Sequence, residues 1–368
     1  MRRTHPLIIG GGPAGAAAAI HLARAGAQPL LLEKTRETGD ALCGGFLSWA
    51  TLAQIAALGV DPAQLGGQRV AHLGLFTPHR SVRVPLPAPA MGVSRQRLDT
   101  HLLDAAEQAG AQVRRGTVVR LIDDDRTVIL ADGEIMSADS IFLATGKQEL
   151  RGATRDTGPI GNPALGLRVR LAPHPALQAM IGDAIELHLF RGGYLGIVLQ
   201  EDGSANACLA ITKSRFAAAR GRPTRLLEQL ADASPALADR FAYLPTGAQI
   251  DAVGHIPYGW RSTDTREGLF RLGDQAAVIP SLAGEGIGIA LASATRAAEA
   301  WQKRGAQGAR GYQVEFARAA RAPIRWAGLM RDILTQPPFG AIALSLAGRA
   351  PSLVAAVAQY TRIIETRP

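Results

Sequence analysis

Two stretches of this chain change hydrophobic period in the same way. Leu7-Ile8-Ile9 is a short apolar run, followed by Gly10-Gly11-Gly12-Pro13-Ala14-Gly15 and an Ala-rich segment to about Ala25. Gly26 ends that segment, and residues 29–32 form a second apolar run that finishes on Glu33. The order predicts strand, tight turn, helix packed closely on a sheet, and strand. Residues 269–272 repeat the opening: an apolar strand runs into Gly273-Asp274, a Pro/Gly loop follows, and a helix begins near Gly284-Glu285-Gly286-Ile287. Between these units, residues 70–95 and about 156–265 lose the pattern. Residues 188–199 and 206–211 read as two strands joined through Glu201-Asp202-Gly203-Ser204, and a similar strand–turn pattern surrounds Val70–Val84. Beyond Gln302 the chain reads as helical, with apolar runs at 323–334, 339–346 and 351–364, Pro323 and Pro351 suiting first-turn positions. Each run is shorter than the roughly 20 residues that span a bilayer. Trp326, Leu329, Met330 and Leu334 recur at helical spacing and predict an amphipathic face. Packing against the chain's own body is the expected use of that face; a roof over a substrate tunnel, a dimer contact or a membrane surface are the alternatives.

The first unit has specific chemistry. Gly10 permits the sharp turn, Gly12 lets backbone approach a pyrophosphate, and Gly15 lets the helix lie against the strand. The helix N-terminus presents N–H groups to phosphate charge, and Glu33 is placed to accept hydrogen bonds from a ribose. A packing turn alone would not need all four features in order, so the segment predicts dinucleotide binding. The Gly273-Asp274 pair offers a carboxylate to a polyol, and the helix start after it offers further backbone donors. A flavin has a ribityl chain and a ring edge that need such an anchor, whereas a nicotinamide dinucleotide has neither.

These segments, together with Arg95-Gln96-Arg97-Leu98-Asp99 and Ala144-Thr145-Gly146, resemble the FAD-dependent oxidoreductases of the aromatic-hydroxylase and geranylgeranyl-reductase superfamily. Cys43-Gly44-Gly45-Phe46-Leu47-Ser48, residues 144–151 and residues 273–281 are similar to a bacterial subgroup found beside type III polyketide synthases. The resemblance implies an α/β fold: a Rossmann-like FAD-binding domain (1–69, 96–155 and 266–305), an inserted antiparallel β-sheet substrate domain (70–95 and 156–265), and a C-terminal helical segment (306–368). It implies that Gly10, Gly12, Pro13, Ala14 and Gly15 hold the pyrophosphate, with Arg95 neutralising its charge. Glu33, with Lys34 beside it, would take the adenosine ribose and Val119 the adenine. Asp274 would hold the ribityl chain, Gly284, Gly286 and Ile287 would cap the ring, Cys43-Gly44 would run beside it, and Ala144, Gly146 and Gly273 would also bind the cofactor. Related sequences usually carry Arg and Lys where this chain has Gly39 and Ala41, and Arg36 is a candidate substitute. In the same comparison Phe190, Tyr194 and Leu195 are candidate pocket residues, and Cys43, Tyr194 and Tyr258 are candidate catalytic groups.

Composition narrows the function. At 368 residues and 47% hydrophobic, the chain can bury an ample core. The net charge of +9 comes with four lysines, scattered arginines and 5% aromatics, without a basic run, which argues against nucleic acid. Cys43 and Cys208 show no metal spacing, and there is no Ser/His/Asp or His-rich cluster, so metal chemistry is not expected. Two cysteines and an N-terminus that enters the first strand at once predict a cytoplasmic protein, with contact to the inner membrane face or a carrier protein left open. The oligomeric state is open. The expected activity is hydroxylation of an apolar phenolic or polyketide-like substrate with FAD, NAD(P)H and O2. The alternatives are reduction of isoprenoid-like C=C bonds and modification of a partner protein.

Overall fold

The computed structural model describes residues 6–158, 163–350 and 360–363. Leu7–Ile9, Pro13–Arg24 and Leu30–Leu32 form the expected strand, helix and strand. They belong to a five-stranded parallel sheet in the order Leu269–Arg271, Ile141–Leu143, Leu7–Ile9, Leu30–Leu32, Gln112–Arg114. The central strands are all-apolar because both faces are covered. Ala16 to Ala19 are completely buried where the helix Pro13–Arg24 meets the helices Arg95–Gln108 and Gly286–Arg304. Larger residues there would push the layers apart.

The second layer is an eight-stranded sheet. Its order is Asp251–Ile256, Ala164–Leu171, Ala205–Thr212, Gly193–Leu199, Ala184–Phe190, Gln68–Thr77, Arg80–Gly92, Phe46–Leu47. The sheet is mixed rather than purely antiparallel, because strand 184–190 pairs in parallel with strand 68–77. That junction joins two segments that are far apart in sequence, so no hairpin dictates its direction. A small three-stranded sheet, Val119–Ile122, Thr127–Leu130 and Ile135–Ser137, was not foreseen.

Two further expectations are corrected. Residues 188–199 are not one strand. They turn at Arg191-Gly192, where Gly192 adopts φ +81°, a left-handed conformation that suits glycine. Pro323 does not open a helix either, but lies inside the continuous helix Gly308–Leu334. The lost backbone bond costs about 3 kcal/mol. Burial of Pro323, Ile324 and Ala327 on that helix holds the run together. A further helix covers Pro337–Arg349, while most of the expected helix at 351–364 lies outside the described residues.

Alternation along the strands gives the large sheet two different sides. Leu167, Leu195, Ile197, Leu209 and Ile211 pack against the helices Pro175–Ile181, Pro223–Ala233 and Pro235–Phe241. Leu75, Val84, Leu189, Tyr194 and Ala210 face Leu334, Leu344 and Ala347 of the helices Gly308–Leu334 and Pro337–Arg349, with Leu187, Leu282 and Met330 beside them.

Candidate cofactor and substrate site

The glycine turn leaves no room for side chains. Gly10 adopts φ +107°, and a Cβ on Gly15 would lie 1.8 Å from the Gly10 carbonyl oxygen. Gly12 caps the helix Pro13–Arg24, so Pro13, Ala14 and Gly15 form its first turn. Arg95 reaches this turn: its Nη2 lies 3.3 Å from where a Gly12 Cβ would be. The guanidinium forks onto Asp99, with Nε–Oδ1 at 2.9 Å and Nη2–Oδ2 at 2.6 Å. Burial drives the Asp99 carboxyl upward despite that partner. Glu33 accepts hydrogen bonds from the Gly11 N–H at 2.7 Å and from the Thr35 N–H and hydroxyl at 2.9 and 2.8 Å. The Thr117 N–H donates to the Glu33 carbonyl at 2.8 Å, which brings the strand starting at Val119 alongside. Lys34 is exposed, and Arg36 lies against Gly116.

The second anchor adjoins the first. A Cβ on Gly273 would lie 3.3 Å from that of Ala14, so two motifs distant in sequence meet at the C-terminal edge of the parallel sheet. Open α/β sheets bind ligands at this edge. Asp274 pairs with Lys147 at 3.1 Å, and this partner holds the ammonium above its ordinary range against the effect of burial. Lys147 follows Ala144-Thr145-Gly146, and the buried Gln275 amide ties this loop by donating to the Gly146 and Gln148 carbonyls, each at 2.9 Å. Gly284 adopts φ +67° with Phe46 packed on it, and Gly286 and Ile287 begin the helix Gly286–Arg304. The buried Glu285 pairs with Arg362 at 2.8 Å.

The loop carrying Cys43 and Gly44 is fastened by the large sheet. The Asn206 amide donates to the Cys43 and Gly44 carbonyls at 3.0 and 2.9 Å. Asp40 accepts from Arg168 at 2.6 Å, from Arg170, and from the Arg95 N–H at 2.9 Å. Burial opposes the Asp40 charge, yet Arg170 and Arg168 outweigh it and hold the carboxyl below its usual range. Cys43 lies near the Arg95 guanidinium, whose charge Asp99 favours first and Cys43 after it. Cys208 stands on the same side of the sheet as Asn206, and burial pushes its thiol up to about 12. Both cysteines are free.

One short polar row borders the apolar side of the sheet. The Ser281 hydroxyl lies 2.5 Å from the Tyr194 hydroxyl and 2.6 Å from that of Tyr258. Burial raises both phenols above their ordinary values, so both keep their protons at neutral pH. Tyr194 comes from strand 193–199, Tyr258 from the crossing after strand 251–256, and Ser281 from the loop after Gly273. Phe190 and Leu195 do not join them. Both pack on the opposite side of the sheet, Leu195 because it neighbours Tyr194 and Phe190 because the Gly192 turn changes the alternation. Reading the sequence alone missed Lys147, Ser281, Asn206 and the Asp40–Arg168–Arg170 group. Only Lys147 had a local signal, directly after Ala144-Thr145-Gly146 at a strand end. A groove of about 340 Å³ lined by Arg69, Gln178 and Asp183 shares none of these residues.

Residues 3–134 match the family of the FAD binding domain. That span contains the glycine turn, Glu33, Cys43 and Arg95. The cramped turn, the cation beside it and the carboxylate at the strand end fit the pyrophosphate and ribose of FAD. Over 81% of its length the chain is 27% identical to the menaquinone reductase of Mycolicibacterium smegmatis, covering 76% of that protein. The fold matches PqsL of P. aeruginosa, solved with 2-aminobenzoylacetate, with a TM-score of 0.72 and 17% identity over 92% of this chain and 98% of that one. It also matches the flavin-dependent brominase Bmp2, with a TM-score of 0.74 and 17% identity over 96% and 92% of the two chains.

Proposed function

We propose that the protein is an FAD-dependent monooxygenase that hydroxylates an apolar phenolic or polyketide-like substrate. The observation that carries this reading is the Tyr194–Ser281–Tyr258 row at the border of an apolar sheet face. The hydroxyl row would offer donors to a phenolic oxygen, beside an apolar sheet face that the helices Gly308–Leu334 and Pro337–Arg349 close off from water. Bound FAD would supply the redox and oxygen chemistry. The chain's part is to hold it. Glu33 would take the ribose, Arg95 and the glycine turn the pyrophosphate, Asp274 the ribityl side with Lys147 balancing its charge, and the capped sheet would exclude water. NAD(P)H would provide two electrons; one oxygen atom of O2 would enter the substrate and the other leave as water.

A second reading is hydride transfer to an unsaturated isoprenoid or quinone-like lipid, favoured by the similarity to a menaquinone reductase over most of the chain. Cys43 or Tyr258 would then donate the proton. Purified protein supplied with octylphenol, NADH or NADPH and isotopically heavy O2 separates the two. Monooxygenation predicts a product carrying one heavy oxygen. An isoprenoid quinone that gains two hydrogens without oxygen, with octylphenol untouched, would overturn hydroxylation in favour of reduction.

A further inference from the structure

Of the ten large apolar side chains that stand exposed among the described residues, eight lie between Val314 and Tyr360. Their arrangement is ordered. On the helix Pro337–Arg349, the side bearing Gly340, Leu344 and Ala347 is buried on the large sheet. Phe339, Ile342 and Leu346, at helical spacing, stand on the opposite side with 50–53% of their surface exposed, and Arg349 shares that side. On the preceding helix Gly308–Leu334, Trp326, Leu329 and Ile333 repeat the spacing and are also exposed, while Ile324, Ala327 and Leu334 face inward. The expected amphipathic face of residues 326–334 is therefore split. Its Leu334 is buried, whereas Trp326 and Leu329 remain in solvent.

We propose that these two outer stripes form a docking surface for the face of an anionic lipid bilayer. Charge and residue type favour this occupant. Arg318, Arg321 and Arg325 are exposed on the turns just before Trp326, and Arg349 closes the second stripe. Among the described residues of these two helices the acidic groups on the exposed side are Glu315 and Asp332, and Asp332 already accepts the Arg331 guanidinium at 2.7 Å. The surface thus combines an apolar stripe with a surplus of arginine, as interfacial helices do. Trp326 and Tyr360 lie against each other with ring centroids 5.9 Å apart, and both are exposed. Rings with an apolar body and a polar edge are favoured at the headgroup level. Among the described residues no helix is long and apolar enough to cross a membrane, so the contact would be lateral. This inference does not depend on which reaction the flavin site performs.

The test uses full-length, FAD-loaded protein and vesicles of pure phosphatidylcholine or of phosphatidylcholine mixed with phosphatidylglycerol. The protein is expected to pellet with the anionic vesicles, less so as salt is raised. The combined variant Phe339→Glu, Ile342→Glu and Leu346→Glu should bind at least about tenfold more weakly. Arg321→Glu with Arg325→Glu should weaken binding to anionic vesicles while leaving the flavin spectrum intact. The flavin spectrum of each variant reports whether it is still folded. No pelleting with either vesicle, or undiminished pelleting of a folded triple variant, would overturn the proposal. So would a dimer in light scattering that the triple variant abolishes without any vesicle binding, which would assign the surface to a second copy of the chain.

Discussion

The glycine turn and the inner side of the large sheet are built from different material. At the turn the working groups are backbone: Gly10, Gly12 and Gly15 act by what they lack, and one added methyl would collide at 1.8 Å. On the sheet the groups proposed to work are side chains, contributed by several separate segments, and each is aimed by its hydrogen-bonded neighbours. A site made of backbone tolerates no added atoms but can be read from a short motif. A site made of scattered side chains tolerates trimming but leaves no local trace. The two regions are linked by one loop, since Asn206 and Arg168 on the sheet hold the segment of Cys43 and Asp40.

The sharpest way to break this contrast is at Gly15. Gly15→Val should abolish FAD retention and cost roughly 3 kcal/mol of stability or more through overpacking, read as loss of flavin absorbance and a lowered Tm. Next comes a pair of adjacent residues on opposite sides of one strand. Leu209→Ala removes a fully packed side chain and should cost about 2–5 kcal/mol in denaturant unfolding while FAD is retained. Cys208→Ala, one residue away, should cost about 1 kcal/mol. If the two variants lose equal stability, the sheet does not have a structural side and a working side.

At Asp274 the expected change is in the cofactor rather than in the fold. Asp274→Ala should lower FAD occupancy, measured as the flavin-to-protein absorbance ratio, and full occupancy would sink its assigned role. The outer side of the sheet sharpens the contrast through pH. Burial, with help from the Arg240 charge, holds the His188 imidazole below its ordinary 6.5 despite Glu186 at 3.0 Å. The unfolded chain therefore binds a proton in a range where the native protein does not. Stability is complete above about pH 6.5 and falls as the pH drops below it. His188→Gln should flatten the fall in Tm between about pH 6.5 and 5, without altering flavin occupancy. A small effect on stability is expected at Ser281 too, where loss of its hydrogen bonds to two tyrosines should cost about 1 kcal/mol. Ser281→Ala should instead show itself in turnover, and unchanged turnover would remove the hydroxyl row from the site.

What the sequence could and could not reveal follows the same division. The turn, the helix after it and Glu33 are legible because their geometry demands particular residues at fixed spacing. Gly273-Asp274 is legible for the same reason. The side of the sheet that faces the site is not, because one unrecognised turn at Arg191-Gly192 reverses the alternation that follows. Tyr194 stays on the inner side, whereas Phe190 and Leu195 lie with the outer core. The hydroxyl row has no sequence signature at all, since Tyr194 and Ser281 are 87 positions apart. The helix Gly308–Leu334 shows another limit: a proline marks a boundary only when packing does not carry the helix through it.

The most direct test is a titration of purified, FAD-loaded protein with octylphenol, followed in the flavin absorbance bands. Binding beside the ring predicts a saturable shift of those bands, weakened in Ser281→Ala, whose own flavin bands report retained cofactor. Protein that carries no flavin, or a shift of equal size and affinity in a cofactor-loaded Ser281→Ala, would contradict a substrate site at the Tyr194–Ser281–Tyr258 row.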